Sequence, residues 1–148
     1  MFQNKSCYYL FQVFISLAFT NIVFSDDNTL QSYSENGQII QKISVQNAGQ
    51  MIESYRGNPD FVILDLRTAQ EYKREHIENS NNIDFFSDNF KNELDKLDKD
   101  KTYIIHCRSG GRASNTLPIM KELGFKEVYN MGGIIQWKEA GFETVKTE

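Results

Sequence analysis

The segment from Cys107 to Arg112 combines a cysteine, two adjacent glycines and two arginines. Consecutive glycines let the backbone curl tightly and turn its N–H groups inward. The helix predicted to follow points its positive end at the same place. Arg108 and Arg112 add two permanent charges if they face the loop. This combination favours an anion in the loop and the thiolate form of Cys107, so the segment predicts a nucleophile in an anion-binding loop.

A buried strand must hold this cysteine. Residues 103–106 form a short apolar and aromatic run directly before Cys107, and residues 61–64 form a similar run earlier in the chain. Continuous runs of this kind are typical of strands covered on both faces. Short strands separated by helices predict an α/β fold, with a central parallel sheet of about five short strands and helices on both faces. Because ligands bind beyond the C-terminal ends of such strands, the segment after residue 106 is the predicted site.

The other predicted elements alternate along the chain. Ser44 is a candidate N-cap of a helix, and Thr68 with Glu71 has the spacing of a capping box. Gly124 is expected to end the helix after the cysteine loop, with Pro118 inside it. Further strands are predicted at 42–43, 82–84 and 127–129, and helices at 45–55, after Thr68, and at 87–97, 112–123 and 134–140.

Length and composition exclude several classes of protein. The 148 residues suffice for one domain, and 40% hydrophobic with 24% charged residues fits a globular chain. Sixteen basic against twenty acidic residues give a net charge of −4, so a nucleic-acid partner is not expected. The two cysteines, Cys7 and Cys107, make neither a disulfide framework nor a cysteine-based zinc site. No metal site is therefore predicted.

The first 25 residues differ in composition from the rest. Their one charge is Lys5, and an aromatic and aliphatic run precedes the acidic residues Asp26 and Asp27. This order predicts a secretory signal over residues 1–25, cut before Asp26, with an uncleaved membrane anchor as the alternative. The mature protein is then exported: periplasmic in a Gram-negative bacterium, and secreted otherwise. Contact with a membrane is expected only if the segment is uncleaved.

Two further regions complete the predicted domain organisation. Residues 26–41 are rich in Asp, Asn, Ser and Gln, with little apolar periodicity, and are interpreted as a flexible linker. Residues 42–148 form the predicted domain. Cleavage of the signal would leave Cys107 as the mature chain's single cysteine, in a compartment where disulfides normally form.

Both histidines are interpreted as supporting residues. His106 is adjacent to Cys107, so the two side chains point to opposite sides of their strand. We therefore expect His106 to be buried or to lie behind the site rather than to act as a general base. His76 is expected at the end of its helix.

Three separated motifs make residues 42–142 resemble a single rhodanese (sulfurtransferase) domain. The first runs from Leu64 to Ile77, the second is the cysteine loop, and the third extends from Val128 to Gly141. In the first motif the family's pattern is Asp-x-Arg, then Glu-Phe/Tyr, then His-Ile; in the third it is two adjacent glycines followed by Trp and Gly. The chain departs from the family around its His-Ile pair, where residues 75 and 78–80 replace the usual Gly and Pro-Gly-Ala.

The resemblance implies a sulfurtransferase that needs no cofactor. Cys107 would take a sulfane sulfur from a small anionic donor such as thiosulfate, hold it as a persulfide, and pass it to cyanide, a thiol or a protein thiol. Asp65 and Arg67 would form a buried charge pair that braces the loop, and Gly132, Gly133 and Trp137 match a packing motif. The residues that would bind the substrate through their amides or charges are Arg108, Ser109, Gly110, Gly111 and Arg112.

Two other functions stay open. Related folds use a C-x5-R loop as a phosphatase or arsenate reductase, but here Arg112 follows Cys107 with C-x4-R spacing. The shorter loop suits a sulfur atom better than a phosphoryl group. A non-catalytic rhodanese domain that binds partner proteins is the other alternative, and the intact cysteine and arginines argue against it.

Overall fold

The computed structural model describes residues 34, 35 and 37–147, which form six strands and five helices. The strands are β1 (Ser34–Glu35), β2 (Gln38–Lys42), β3 (Phe61–Asp65), β4 (Asn81–Asn82), β5 (Thr102–Cys107) and β6 (Glu127–Gly133). The helices are α1 (Val45–Ser54), α2 (Ala69–Arg74), α3 (Phe90–Asp95), α4 (Gly111–Glu122) and α5 (Ile134–Glu139).

One sheet contains all six of these strands, in the order β1-β2-β6-β5-β3-β4. Every pairing from β2 to β4 is parallel, and β1 adds an antiparallel edge beside β2. The predicted α/β fold with five parallel strands is therefore confirmed. β5 lies between β3 and β6, which places the cysteine at its C-terminal end over the middle of the sheet.

Two apolar cores cover the two faces of the sheet. Alternate residues along a strand point to opposite faces, so Ile104 packs with α1 and α5 while Ile105 packs with α3 and α4. The core on the Ile104 side of the sheet also contains Ala48 and Trp137, both almost completely buried. Because both faces are covered, the central strands are apolar without alternation, as their sequence predicted.

Two helices begin at the N-cap residues that the sequence predicted. The Ser44 hydroxyl accepts a hydrogen bond from the amide of Asn47 at 3.1 Å and caps α1. Thr68 and Glu71 form a complete capping box at the start of α2, because each side chain accepts from the backbone amide of the other. Both predicted caps are confirmed.

Several predicted boundaries differ in the structure. Residues 38–41, which were predicted to belong to the linker, form most of β2, and the strand predicted at 42–43 ends at Lys42. β2 was not predicted in full because it contains polar residues. A strand near the edge of a sheet need not be apolar on both faces. β6 continues four residues beyond its predicted end, to Gly133, and the helix predicted at 87–97 covers only Phe90–Asp95.

The predicted signal and most of the predicted linker lie outside the described residues. Within the described part of the chain, no helix has the length and apolar character needed to cross a membrane.

Candidate active site

The cysteine loop closes over its own sulfur. Cys107 is the last residue of β5 and is 1% exposed, and the amide of Gly110 donates a hydrogen bond to its Sγ at 3.1 Å. Gly110 has a φ of 103°, in the left-handed region that favours glycine. The next residue, Gly111, begins α4, so the helix N-terminus faces the sulfur as the sequence predicted.

The end of β6 supports this loop from one side. A Cβ atom on Gly133 would lie 2.3 Å from the carbonyl oxygen of Arg108 and 2.6 Å from the Cα of Ser109. The amide of Ile135 donates to that same carbonyl at 3.2 Å. The sequence matched Gly133 only to a packing motif. In the structure β6 can contact the loop because Gly133 has no side chain.

A two-point salt bridge holds Arg112 against Glu71. The Arg112 Nη1 and Nη2 atoms lie 2.8 Å and 3.0 Å from the two carboxylate oxygens of Glu71. These hydrogen bonds are the main reason why the pKa of Glu71 falls to about 2, although partial burial acts in the opposite direction. The same contact raises the pKa of Arg112, with smaller effects from Cys107. The sequence predicts Glu71 as part of a helix cap but does not indicate its contact with Arg112, since no local pattern joins the two residues.

An exposed aromatic side chain lies beside this salt bridge. The Phe86 ring is 69% exposed, the most among the large hydrophobic residues that the structure describes. The Arg112 guanidinium carbon lies 5.5 Å from the centre of that ring, within cation–π range. Phe86 was not predicted from the sequence, because two adjacent phenylalanines do not show which of the two rings is exposed.

Arg108 faces a cavity next to the loop. Its side chain is exposed, and it has no ion-pair partner among the described residues. The cavity has a volume of about 290 Å³. Its lining residues come from four parts of the chain and are Arg67, Glu71, Arg74, Glu75, Arg108, Ile134, Ile135 and Lys138.

Asp65 and Arg67 form a buried charge pair behind the loop. Their side chains are 0% and 3% exposed, and Arg67 Nη2 lies 2.6 Å from Asp65 Oδ2. Arg67 also donates from Nε to Asp65 and from Nη2 to the carbonyl of Glu75, the latter at 2.5 Å. Asp65 lies in register with His106 on the neighbouring strand β5, so the pair sits directly beneath the end of the strand that carries the cysteine.

His106 lies within the protein rather than in the site. It is completely buried, its Nε2 is 3.7 Å from Asp65 Oδ2, and that nitrogen has no hydrogen-bond partner in the described structure. Burial lowers the pKa of His106, and nearby Asp65 opposes this only in part. The ring of His76 stacks on Tyr72 at 4.0 Å, just beyond the end of α2. Neither histidine is placed to take a proton from Cys107.

The structure thus brings together most of the residues predicted for the site. Cys107 and the amide of Gly110 are in contact, Ser109 is exposed at the loop's tip, and Arg112 is close to the sulfur but paired with Glu71. Among the described residues no group of three or more His, Cys, Asp or Glu side chains could hold a metal ion. The arrangement can stabilise negative charge on the Cys107 sulfur through the amides of the loop.

Comparison with known proteins gives one family and several relatives. The model of the rhodanese-like domain family matches residues 44–140. A tRNA uridine(34) hydroxylase of Photorhabdus laumondii is 32% identical over 119 residues, which cover 76% of this chain and 31% of that protein. The hydroxylase of the same name from Pectobacterium atrosepticum is 35% identical over 103 residues, or 62% and 28% of the two chains. The chain therefore spans about a third of the length of the curated relatives it matches.

Solved structures with the same fold are also found. A rhodanese-related protein from Thermoplasma volcanium superimposes with a TM-score of 0.62 at 26% identity, covering 72% of this chain and 99% of that one. A protein from Helicobacter pylori 26695 gives a TM-score of 0.54 at 29% identity, covering 71% and 88% of the two chains.

Proposed function

Because the chain belongs to the rhodanese-like domain family, we propose that it is a sulfurtransferase that carries a sulfane sulfur on Cys107. The observation that carries this proposal is the hydrogen bond from the Gly110 amide to the Cys107 sulfur. Cys107 is the buried last residue of β5, and the loop that contains Gly110 follows it directly. The N–H groups of such a loop stabilise negative charge on sulfur. The proposed substrate is a small anionic donor such as thiosulfate.

In the first half-reaction the Cys107 thiolate attacks the outer sulfur of thiosulfate. A new S–S bond forms between Cys107 and that sulfur, while the S–S bond of thiosulfate breaks and its electron pair leaves with sulfite. The product is a negatively charged persulfide on Cys107. The N–H groups of the loop, with Gly110 the one already in contact with sulfur, stabilise this charge.

In the second half-reaction an acceptor removes the outer sulfur. Cyanide or a thiolate attacks it, the bond to Cys107 breaks, and the electron pair returns to Cys107 as the thiolate. The products are thiocyanate or a persulfide of the acceptor. The enzyme is regenerated with no net change in its oxidation state, so no cofactor is needed.

The geometry favours sulfur transfer over phosphoryl transfer. A phosphatase of this kind uses its loop arginine as a two-point donor to the bound oxyanion. Here both Nη atoms of Arg112 are taken by Glu71, and the loop is one residue shorter than C-x5-R. The close contact between Gly133 and Arg108 further limits how far the loop can widen.

The relatives that are named tRNA uridine(34) hydroxylase support a second candidate, a role in tRNA modification. This chain matches about a third of those proteins, and its net charge is −4. We therefore keep sulfur transfer as the main proposal, with no nucleic-acid partner. Hydroxylation of tRNA by the purified protein, found by mass spectrometry of tRNA nucleosides, would establish the second candidate instead.

Transfer of sulfur from thiosulfate to cyanide, measured as thiocyanate, tests the main proposal. We expect turnover by the full chain and none by Cys107→Ser, because a serine hydroxyl cannot hold a persulfide. In the full chain, which retains residues 1–25, the matched control is Cys7→Ser, the same substitution at the other cysteine. Activity in a folded Cys107→Ser variant would reject the proposal, as would hydrolysis of an aryl phosphate in place of thiocyanate formation.

We further propose that the protein is exported, as the composition of residues 1–25 suggests. N-terminal sequencing of the protein from its native host should begin at Asp26. An intact Met1 on protein in the membrane fraction would favour the anchor instead.

A further inference from the structure

The cavity beside the cysteine loop has an excess of positive charge. Four cationic side chains and two carboxylates line it. Two of these cations are matched: Arg67 is paired with the buried Asp65, and Lys138 lies 2.8 Å from Glu75. The Glu71 carboxylate on the wall is matched in turn by Arg112.

Arg74 and Arg108 are left without an ion-pair partner among the described residues. Arg74 ends α2 and Arg108 follows the cysteine, so two separate elements deliver these charges to one cavity. Such a local excess of charge is notable in a chain whose net charge is −4. The cavity therefore favours an anionic ligand.

The shape of the cavity indicates an organic anion rather than a bare inorganic one. Its volume of about 290 Å³ is close to the lower end of small-molecule sites, about 300–1,000 Å³. Ile134 and Ile135 provide an apolar part of the wall, which suits a carbon skeleton.

The location links the cavity to the carried sulfur. Arg108 is adjacent to Cys107, so their Cα atoms are ~3.8 Å apart. The Ile135 amide fixes the Arg108 carbonyl, which holds this backbone in place while the side chain reaches the cavity. An anionic group bound by Arg108 thus lies within the length of a small molecule from the Cys107 sulfur.

We propose that this cavity binds a carboxylate of the sulfur acceptor, so that the preferred acceptor is a small thiol that carries a carboxylate at the other end of its skeleton. The inference rests on the proposed function. The acceptor thiolate attacks the outer sulfur of the Cys107 persulfide, the bond to Cys107 breaks, and the electron pair returns to Cys107. The carboxylate takes no part in bond making and serves to hold the thiolate near the persulfide.

Three acetylated and amidated tripeptides, Cys-Gly-Glu, Cys-Gly-Gln and Cys-Gly-Lys, test this. They have the same thiol and similar size and differ in charge. The protein is first loaded with thiosulfate, and one equivalent of released sulfite reports the persulfide. The second-order rate constant for transfer of sulfur from the Cys107 persulfide to each peptide thiol is then measured.

We expect the acidic peptide to react about fivefold faster than the neutral one, and the basic peptide to be slowest. Arg74→Ala and Arg108→Ala should each reduce the ratio of acidic to neutral rates toward one. Lys73→Ala, an equal charge loss at an exposed neighbour in α2 outside the cavity, should preserve it. Added salt should lower the ratio in the unsubstituted protein.

Several outcomes would overturn the inference while leaving the proposed function intact. Sulfite release followed by equal rates with all three peptides is one, and equal effects of Arg74→Ala and Lys73→Ala are another. Binding of tRNA that requires Arg74 and Arg108 and displaces the acidic peptide would assign the cavity to nucleic-acid phosphates. Absence of sulfite release would instead reject the proposed function itself.

Discussion

Glu71 and Arg112, 41 residues apart in the sequence, form a two-point salt bridge that joins helix α2 to the end of the cysteine loop. The same carboxylate also accepts the backbone amide and hydroxyl of Thr68 in the capping box. One side chain therefore begins a helix and fixes the position of Arg112. This makes Glu71 a positioning residue for the loop.

Replacing Glu71 with glutamine should destabilise the protein by about 1–3 kcal/mol near neutral pH, because the partly buried Arg112 loses its charged partner. The folded-state pKa of Glu71 is about 2, below the usual value of 4.5. Its stabilising effect is therefore fully present above pH 4.5 and is lost as the pH falls toward 2. Urea unfolding at several pH values between 6 and 3 should show that the free energy of unfolding falls less with acid in Glu71→Gln than in the unsubstituted protein.

The matched control for that experiment is Glu122→Gln, which removes an exposed salt bridge to Lys91. It should change the free energy of unfolding by less than about 1 kcal/mol. An acid dependence in Glu71→Gln equal to that of the unsubstituted protein would show that the salt bridge contributes nothing to folding.

Arg112→Ala should raise the KM for thiosulfate by about tenfold, because it leaves the Glu71 carboxylate unpaired beside the loop, where it repels the anionic donor. The double variant Glu71→Gln with Arg112→Ala should recover part of this loss, since the repelling charge is gone. Steady-state kinetics of Arg112→Ala, Glu71→Gln and the double variant check the prediction. A double variant with a KM as high as the product of the two single effects would mean that the residues act independently.

Gly133→Ala should disturb the loop severely, because the new methyl group would lie 2.3 Å from the Arg108 carbonyl oxygen. We expect a loss of stability of about 1–3 kcal/mol and of most thiocyanate formation. Gly111→Ala is the control for folding, since its Cβ would meet no atom within 4 Å. A Gly133→Ala variant with normal stability and turnover would contradict the tight contact between β6 and the loop.

His106→Leu should keep sulfur transfer and raise the free energy of unfolding by about 1 kcal/mol at pH 5, because it removes a buried nitrogen with no hydrogen-bond partner. Burial lowers the pKa of His106, so below about pH 6.5 the unfolded chain binds a proton that the folded protein does not. Stability should thus fall from pH 7 to pH 5 in the unsubstituted protein, and less so in His106→Leu. Loss of turnover in the folded variant would instead indicate a catalytic histidine.

The sequence predicted the parts of the site that are local in the chain. The apolar run before Cys107 and the two glycines after it identified β5, the loop and the start of α4. The resemblance to the rhodanese family implied the buried pair of Asp65 and Arg67. Contacts between distant segments left no such pattern. The pairing of Glu71 with Arg112 and the cavity at Arg108 arise from the way α2, the loop and α5 pack together.

Residues 38–41 show a different limit of sequence reasoning. The polar composition of the segment 26–41 as a whole predicted a linker, yet residues 39–41 pair with β6 in the sheet. Hydrogen bonds of the backbone stabilise this strand, and these do not depend on side-chain type.

The mass of the protein before and after exposure to thiosulfate, followed by cyanide, tests whether Cys107 carries sulfur. Thiosulfate should add about 32 Da, one sulfur atom, to the peptide that contains Cys107, and cyanide should remove it as one equivalent of thiocyanate. Cys107→Ser should show neither change. An unchanged mass, or a sulfur atom on Cys107 that neither cyanide nor a thiol removes, would contradict a sulfur-carrying role for this cysteine.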